Sequence, residues 1–143
     1  KNTDVKLCSI LVEEERKTAE LYEIAFKKEL ESILCAKKIN EVNYYLKWDI
    51  KKDYRELIKS ESNTTRRYEE TLSINFSIYH INNESLIYSD KISAKGAYNI
   101  LEDEIISTLA STKSVELQIA IIGARLTLDK IHLFMLKDEN SKL

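Results

Sequence analysis

Proline is absent from this chain, and glycine occurs only as Gly96 and Gly123. A sheet-rich domain of this size normally places both residue types in its turns, so their scarcity favours helices. Two isolated glycines also exclude a glycine-rich phosphate-binding loop. Long apolar runs are missing too: the longest uncharged run in the most apolar part of the chain is 117–124. A bilayer span needs about 20 apolar residues, so we expect no membrane span in this chain.

Residues that commonly carry chemistry are also scarce. The histidines are His80 and His132, and the cysteines are Cys8 and Cys35. Asp129 and His132 have the i, i+3 spacing of a helical metal-ligand pair, but no second pair completes such a site. The cysteines lack the spacing of a zinc site. The sequence therefore predicts no catalytic residues, no metal site and no cofactor, and we do not expect an enzyme.

Pairing of the cysteines depends on the path of the chain between them. Residues 11–34 contain neither proline nor glycine, so Cys8 and Cys35 are expected to lie on one continuous helix. On that helix they would be about 40 Å apart, whereas bonded cysteines need α-carbons within about 7 Å. We therefore favour two separate thiols. A disulfide is the alternative if the chain folds back between them.

Length and charge indicate the broad class of protein. A chain of 143 residues is long enough for one domain with its own core, and we treat residues 1–143 as a single domain. Charged residues make up 32% and hydrophobic residues 43% of the chain, a balance typical of globular rather than disordered proteins. The net charge of −2 argues against a nucleic-acid partner.

The most apolar stretch, 114–136, forms the centre of the predicted fold. Wound as a helix at about 100° per residue, it carries two apolar stripes on opposite sides. One stripe contains Val115, Ile119, Ile122, Leu126 and Leu133, and the other contains Leu117, Ala120, Ala124, Leu128, Ile131 and Met135. A helix with two apolar faces lies between neighbours, so we predict that 115–136 is a central, two-faced helix. Arg125 and Asp129 are four residues apart and are expected to form an ion pair.

Helical spacing elsewhere supplies the layers around this helix. The other predicted helices cover 3–38, 42–58 and 94–110, and polar connections lie at 59–65 and 111–114. Several helices joined by short polar connections are typical of an antiparallel bundle. We therefore predict an all-α fold, an antiparallel bundle of four or five helices.

Residues 71–88 have a second interpretation. Leu72, Ile74, Phe76 and Ile78 alternate with polar residues, which is the period of a half-buried strand. Residues 82–85 would then form the turn to a returning strand. The alternative fold is therefore α+β, with a β-hairpin at about 71–88.

The predicted partner surface is aromatic. Tyr44, Tyr45 and Trp48 crowd one turn of the predicted helix 42–58, with Tyr44 and Trp48 four residues apart. Tyrosine and tryptophan are enriched in protein interfaces, because they combine a large contact area with a polar group. We therefore predict that these three residues contact a protein partner.

Three N-glycosylation sequons stand at Asn63, Asn75 and Asn83. They fall in the least helical part of the predicted fold, where exposed loops would accept a glycan. This clustering favours an extracellular, secreted protein, although the rest of the composition also fits a cytoplasmic one.

The leading functional hypothesis is a non-enzymatic helical binding protein that is secreted and holds a protein partner on an exposed helix face. One alternative is a carrier of a small apolar ligand in an interhelical cavity around residues 119–133. A second alternative is an extracytoplasmic ligand-sensing helical bundle of a membrane receptor.

Overall fold

A computed structural model describes residues 8–13, 20–36, 42–59, 65–101 and 105–141. Within these ranges the chain forms a sheet and two helices. In chain order the elements are β1 (Ile10–Val12), α1 (Leu21–Ile33), β2 (Tyr44–Lys59), β3 (Thr65–His80), β4 (Leu86–Leu101) and α2 (Ile105–Ser141). The prediction of an all-α bundle of four or five helices is therefore wrong, and the α+β alternative with a hairpin agrees with the structure.

The sheet has the strand order β1-β2-β3-β4. Strands β2, β3 and β4 pair antiparallel along most of their length, while β1 pairs parallel to the first three residues of β2. The β3–β4 connection lies where the hairpin alternative expects it: the His80 amide donates to the Ser85 carbonyl over 3.0 Å. Helix α1 makes the crossover from β1 to β2, as a parallel pair requires.

One face of the sheet is covered by the helices. Alternate residues of each strand point toward that face, which is the period expected of a strand. The buried apolar residues that the three long strands contribute to it are Leu46, Trp48, Ile50, Leu72, Ile74, Phe76, Ile78, Ile92, Ala94 and Tyr98. From the helices, Phe26 and Leu30 of α1 and Ala120, Ala124 and Ile131 of α2 are all 0% exposed. The core therefore lies between one helical layer and one sheet face.

The predicted helix 115–136 is part of α2, but it is not covered on both sides. Its Ala120–Ala124–Leu128 stripe is buried, while Ile122 is 48% exposed, Leu126 40% and Leu133 57%. The prediction of a central, two-faced helix is therefore wrong, because the sheet supplies a layer on one side only. Arg125 donates to Glu29 of α1 over 3.0 Å. Its ion pair therefore joins α2 to α1, whereas the prediction placed it within one helix, between Arg125 and Asp129.

The predicted helix 3–38 is wrong, because the chain forms β1 before the shorter helix α1 begins. The cysteines flank this β1–α1 unit and form a disulfide, with α-carbons 4.6 Å apart. The expectation of separate thiols assumed one continuous helix. The chain instead reverses direction between β1 and α1, which brings the end of α1 back to the start of β1.

The other predicted helices are also corrected. Residues 44–59 form β2 and residues 86–101 form β4, so the helices predicted at 42–58 and 94–110 are wrong for those residues. The predicted turn at 111–114 lies inside α2. A residue step of four, as in Leu46, Ile50 and Tyr54, fits a helix but also keeps residues on one face of a strand.

Gly96 is the point where α2 comes close to β4. A Cβ atom built on Gly96 would lie 2.7 Å from Val115 Cγ1 and 2.8 Å from Ile119 Cγ2, well inside normal contact distance. The missing side chain therefore permits this close helix–sheet contact.

We expect Gly96→Val to lower the free energy of unfolding by about 1–3 kcal/mol, because the added atoms overpack this contact. Chemical denaturation measures the loss. The matched control is Ala97→Val, whose side chain lies on the uncovered face and adds the same type of group at the next position. Equal stabilities for the two variants would contradict the close contact.

Candidate functional site

The structure separates the three predicted partner-binding residues. Trp48 is only 3% exposed and contacts Phe26, with ring centroids 4.8 Å apart. Tyr44 is half-buried on the same helix-covered face, 5.1 Å from the His80 ring. Tyr45 lies on the opposite, uncovered face. A partner that binds the folded protein therefore reaches Tyr45 but not Trp48.

On the other side of β2, β3 and β4, none of the elements that the structure describes packs against the sheet, and we call this continuous surface the open face. The register of the strands places the following residues on it: Tyr45, Lys47, Asp49, Lys51, Asp53, Arg55, Arg67, Glu69, Thr71, Ser73, Asn75, Ser77, Tyr79, Ser89, Lys91, Ser93, Lys95, Ala97 and Asn99. All of them are half-buried or exposed. The open face is thus a polar surface three strands wide.

Positive charge exceeds negative charge on the open face. Six lysines and arginines stand on it against three carboxylates, although the whole chain has a net charge of −2. Arg55 pairs with Glu69 over 3.1 Å, and Arg67 donates to Asn99 over 3.2 Å. Lys91 and Lys95 are exposed on β4. The charge of this surface therefore suits an acidic binding partner.

An aromatic cluster stands at one end of the open face. The Tyr45 and Tyr79 rings are stacked, with centroids 5.2 Å apart. Lys47 Nζ lies 5.6 Å from the Tyr45 centroid and 5.4 Å from the Tyr79 centroid, within the range of a cation–π contact. The three side chains hold one another in place while they remain accessible. They form an ordered aromatic and cationic cluster at the surface.

Tyr79 and Lys47 were missed by the sequence analysis. The missed signal is the alternation in β2, where Lys47, Asp49 and Lys51 interleave with Leu46, Trp48 and Ile50. That alternation separates a charged face from a buried one and places Tyr45 on the charged side. The pairing of Tyr45 with Tyr79 requires the register of β2 and β3, which the sequence does not show.

The middle of the open face holds a polar depression of about 260 Å³, lined by Ser73, Asn75, Lys91, Ile92 and Ser93. Four of its five lining residues carry a hydroxyl, amide or ammonium group. Nearby, the hydroxyls of Ser77 and Ser89 are hydrogen-bonded at 3.3 Å. The depression can therefore accept a polar group of a ligand or partner.

The predicted glycosylation sites lie in different settings. Asn75 is exposed on the open face, and Asn83 is exposed in the β3–β4 connection. Asn83 Oδ1 accepts hydrogen bonds from the Ser85 amide at 3.1 Å and the Ser85 hydroxyl at 2.8 Å. Asn63 lies outside the described residues. Glycosylation of these asparagines stays a prediction.

A groove lies between the helices, in the region where the sequence predicts an apolar cavity. It has a volume of about 540 Å³ and is lined by Glu29, Ile33, Arg125, Leu128, Asp129 and His132. Four of these six residues are polar or charged, and the Arg125–Glu29 ion pair crosses it. Most of the exposed wall of the groove is nevertheless apolar, so the alternative of a small apolar ligand stays a prediction.

The described ranges hold no group of three or more histidine, cysteine, aspartate or glutamate side chains that could bind a metal ion. His132 and Asp129 border the groove between the helices, and the His80 ring is tilted against the Tyr44 ring. In the same ranges, no helix combines the length and the apolar character of a bilayer span.

Comparisons with known proteins identify the fold but not a family. No family model matches the chain, and no curated protein matches it. Several solved structures share its fold. A Caulobacter crescentus CB15 protein named as a lipoprotein has a TM-score of 0.72 and 12% identity, over 94% of this chain and 96% of its own.

Two further structures extend this similarity. The rare lipoprotein B of Shewanella oneidensis has a TM-score of 0.61 and 12% identity, over 92% of this chain and 97% of its own. A Helicobacter pylori protein named as a homologue of the neuraminyllactose-binding hemagglutinin has a TM-score of 0.54 and 14% identity, over 94% of this chain and 86% of its own. At these identities the likeness establishes a common fold.

Proposed function

We propose that this chain is a non-enzymatic binding protein that holds an acidic protein partner on its open face. The observation that carries the proposal is the excess of positive charge on an uncovered sheet face, together with the Tyr45–Tyr79–Lys47 cluster at its end. The cluster supplies rigid aromatic contact area, and the lysines supply attraction and orientation. This surface replaces the exposed helix face of the sequence-based hypothesis.

We infer that the protein works outside the cytoplasm. The Cys8–Cys35 disulfide supports this inference, since such bonds persist mainly in oxidising compartments. The lipoprotein names of two structural neighbours are consistent with it.

The proposal is tested by cross-linking in cells of the native organism. A photo-reactive benzoylphenylalanine replaces Tyr79 on the open face in one strain and Leu126 on the exposed side of α2 in another. We expect a discrete protein cross-link from position 79 and none from position 126, because the partner covers the open face. Cross-links from position 126 alone would contradict the proposal and support a helix-face partner.

Affinity for the cross-linked partner then provides the quantitative measurement. We expect Lys47→Glu to weaken binding at least about tenfold, with a loss that shrinks at high salt because charge attraction is screened. Lys28→Glu, on the exposed side of α1, is the matched control and should leave binding unchanged. Equal affinities for both variants would contradict an open-face interface.

A glycan is the second candidate ligand for the open face. The polar depression lined by Ser73, Asn75, Lys91 and Ser93 favours it, and one structural neighbour is named for neuraminyllactose binding. Neuraminyllactose is therefore added as a competitor in the cross-linking experiment. Suppression of the position-79 cross-link by the sugar would favour a glycan-bearing partner over a bare protein surface.

A further inference from the structure

Glu70 is a fully buried carboxylate in the interface between the sheet and α2. Its side chain is 0% exposed. Within the described part of the chain, neither carboxylate oxygen makes a hydrogen bond of standard geometry, and the nearby polar groups that act on it include Glu116 of α2 and Tyr54 of β2. Ionisation of a carboxylate in such a setting is strongly unfavourable. Glu70 therefore either binds a proton or, when ionised, weakens the packing around it.

The close helix–sheet contact explains why Glu70 is buried. Gly96 is the residue directly opposite Glu70 on β4, and it is the position where α2 approaches through Val115 and Ile119. Glu116 follows Val115 on α2. The gap left by the glycine side chain therefore lets the helix close over one carboxylate while it brings a second carboxylate near.

Charge in this interface is unbalanced. Lys52 Nζ lies 3.4 Å from Glu116 Oε2 and 5.0 Å from the Tyr22 ring centroid. The charged and titratable groups that interact with Glu70 are Lys52 and Tyr54 of β2, Tyr98 of β4 and Glu116 of α2. From α1, Tyr22 interacts with Lys52 and Glu116. Among Lys52, Glu116 and Glu70 there is one positive charge for two carboxylates, and the lysine pairs with Glu116.

We propose that Glu70 is a proton-binding switch: when protonated it lets the α2 segment around residues 112–120 pack on the sheet, and when ionised it opposes that packing. This switch is independent of the open face, because Glu70 points to the helix-covered side. Only a proton is gained or lost at the carboxylate.

The pKa of Glu70 supports the same conclusion. Burial, and then the neighbouring Glu116 carboxylate, raise the pKa to about 7, while Tyr54 and Lys52 act in the opposite direction. An unfolded glutamate has a pKa of about 4.3. Between these values the folded protein binds more protons than the unfolded chain, so stability is highest at low pH and falls as the pH rises through this window.

The test compares thermal unfolding at about pH 5 and about pH 8 for wild type and Glu70→Gln. We expect the wild-type melting temperature to fall by roughly 5 °C or more across this range, and the variant to lose most of that dependence. Glu69→Gln, the adjacent carboxylate on the open face, is the matched control and should keep the wild-type dependence. A Glu70→Gln variant with the full wild-type dependence would overturn the proposal.

Direct titration of the wild-type protein covers the case in which Glu70→Gln does not fold. Carbon-13 NMR of labelled glutamate side chains, with Glu70 assigned, reports its protonation. A midpoint near neutral pH, with faster amide exchange in residues 112–120 on ionisation, supports the switch. A midpoint below about 5, in the ordinary range for glutamate, overturns it.

Discussion

Trp48→Ala is expected to lower the free energy of unfolding by about 3–5 kcal/mol, the cost of truncating a large buried aromatic side chain. Trp48 is 3% exposed and packs on Phe26 across the interface between β2 and α1. The substitution leaves a cavity and removes the aromatic contact between these elements. The loss is a large fraction of the stability of a typical domain.

Urea denaturation followed by circular dichroism measures this effect, because Trp48 is the only tryptophan and the variant loses its fluorescence signal. Tyr45→Ala is the matched control: it removes an aromatic ring from the same strand on the open face, and we expect a loss of at most about 1.5 kcal/mol. A Trp48→Ala variant with nearly wild-type stability and weakened partner binding would restore Trp48 as a contact residue.

Removal of the disulfide has the second large expected effect. The Cys8–Cys35 bond closes a loop with a sequence separation of 27 residues, and loop-closure entropy for that length corresponds to about 3.5 kcal/mol. The bond joins the start of β1 to the chain just beyond α1. Without it, the unfolded chain gains freedom, and the short β1 strand is held only by packing and by its pairing with three residues of β2.

The double variant Cys8→Ser/Cys35→Ser should therefore unfold at a markedly lower denaturant concentration than the oxidised protein. Wild-type protein treated with a thiol reductant should behave like the double variant, since both lack the same cross-link. Addition of reductant to the double variant is the control and should change nothing. Unchanged stability after complete reduction would contradict the disulfide's structural role.

The prediction of a helix at 42–58 is wrong for β2 because apolar residues four positions apart fit both a helix and a strand. Leu46, Ile50 and Tyr54 are four residues apart, a step that follows one face of a helix and also one face of a strand. Trp48, between two of them, decides the question: it is apolar and buried, and its neighbours Lys47 and Asp49 are exposed. Strict alternation of this kind indicates a strand.

Some features were accessible from local sequence. Residues 115–136 are helical as predicted, although they are part of the longer α2 and are not covered on both sides. The small residues Ala120, Gly123 and Ala124 lie buried against the sheet. Gly123 approaches Ile74 closely, so a side chain there would meet the core. The apolar stripe of Ile122, Leu126 and Leu133 was equally visible, but only the packing shows that it stays exposed.

Long-range features could not be read from the chain. The disulfide depends on a chain reversal between Cys8 and Cys35 that no proline or glycine marks. The Tyr45–Tyr79 stack depends on strand register across the β2–β3 pair. The sequence around Glu70 does not show that it is buried. Its burial follows from Gly96 on the neighbouring strand and from the packing of α2 on that face. Such relations belong to tertiary packing, which overrides local propensity.

Glu70 and the aromatic cluster at Tyr79 are too far apart along β3 for a direct electrostatic interaction. Tyr79 and Glu70 lie nine positions apart along β3, which corresponds to about 30 Å at the rise of an extended strand. The screening length in physiological salt is about 8 Å, so a proton gained at Glu70 does not alter the electrostatic potential at the aromatic cluster. A change in the protonation of Glu70 can therefore affect the Tyr45–Tyr79–Lys47 cluster only through a structural change in the sheet and α2.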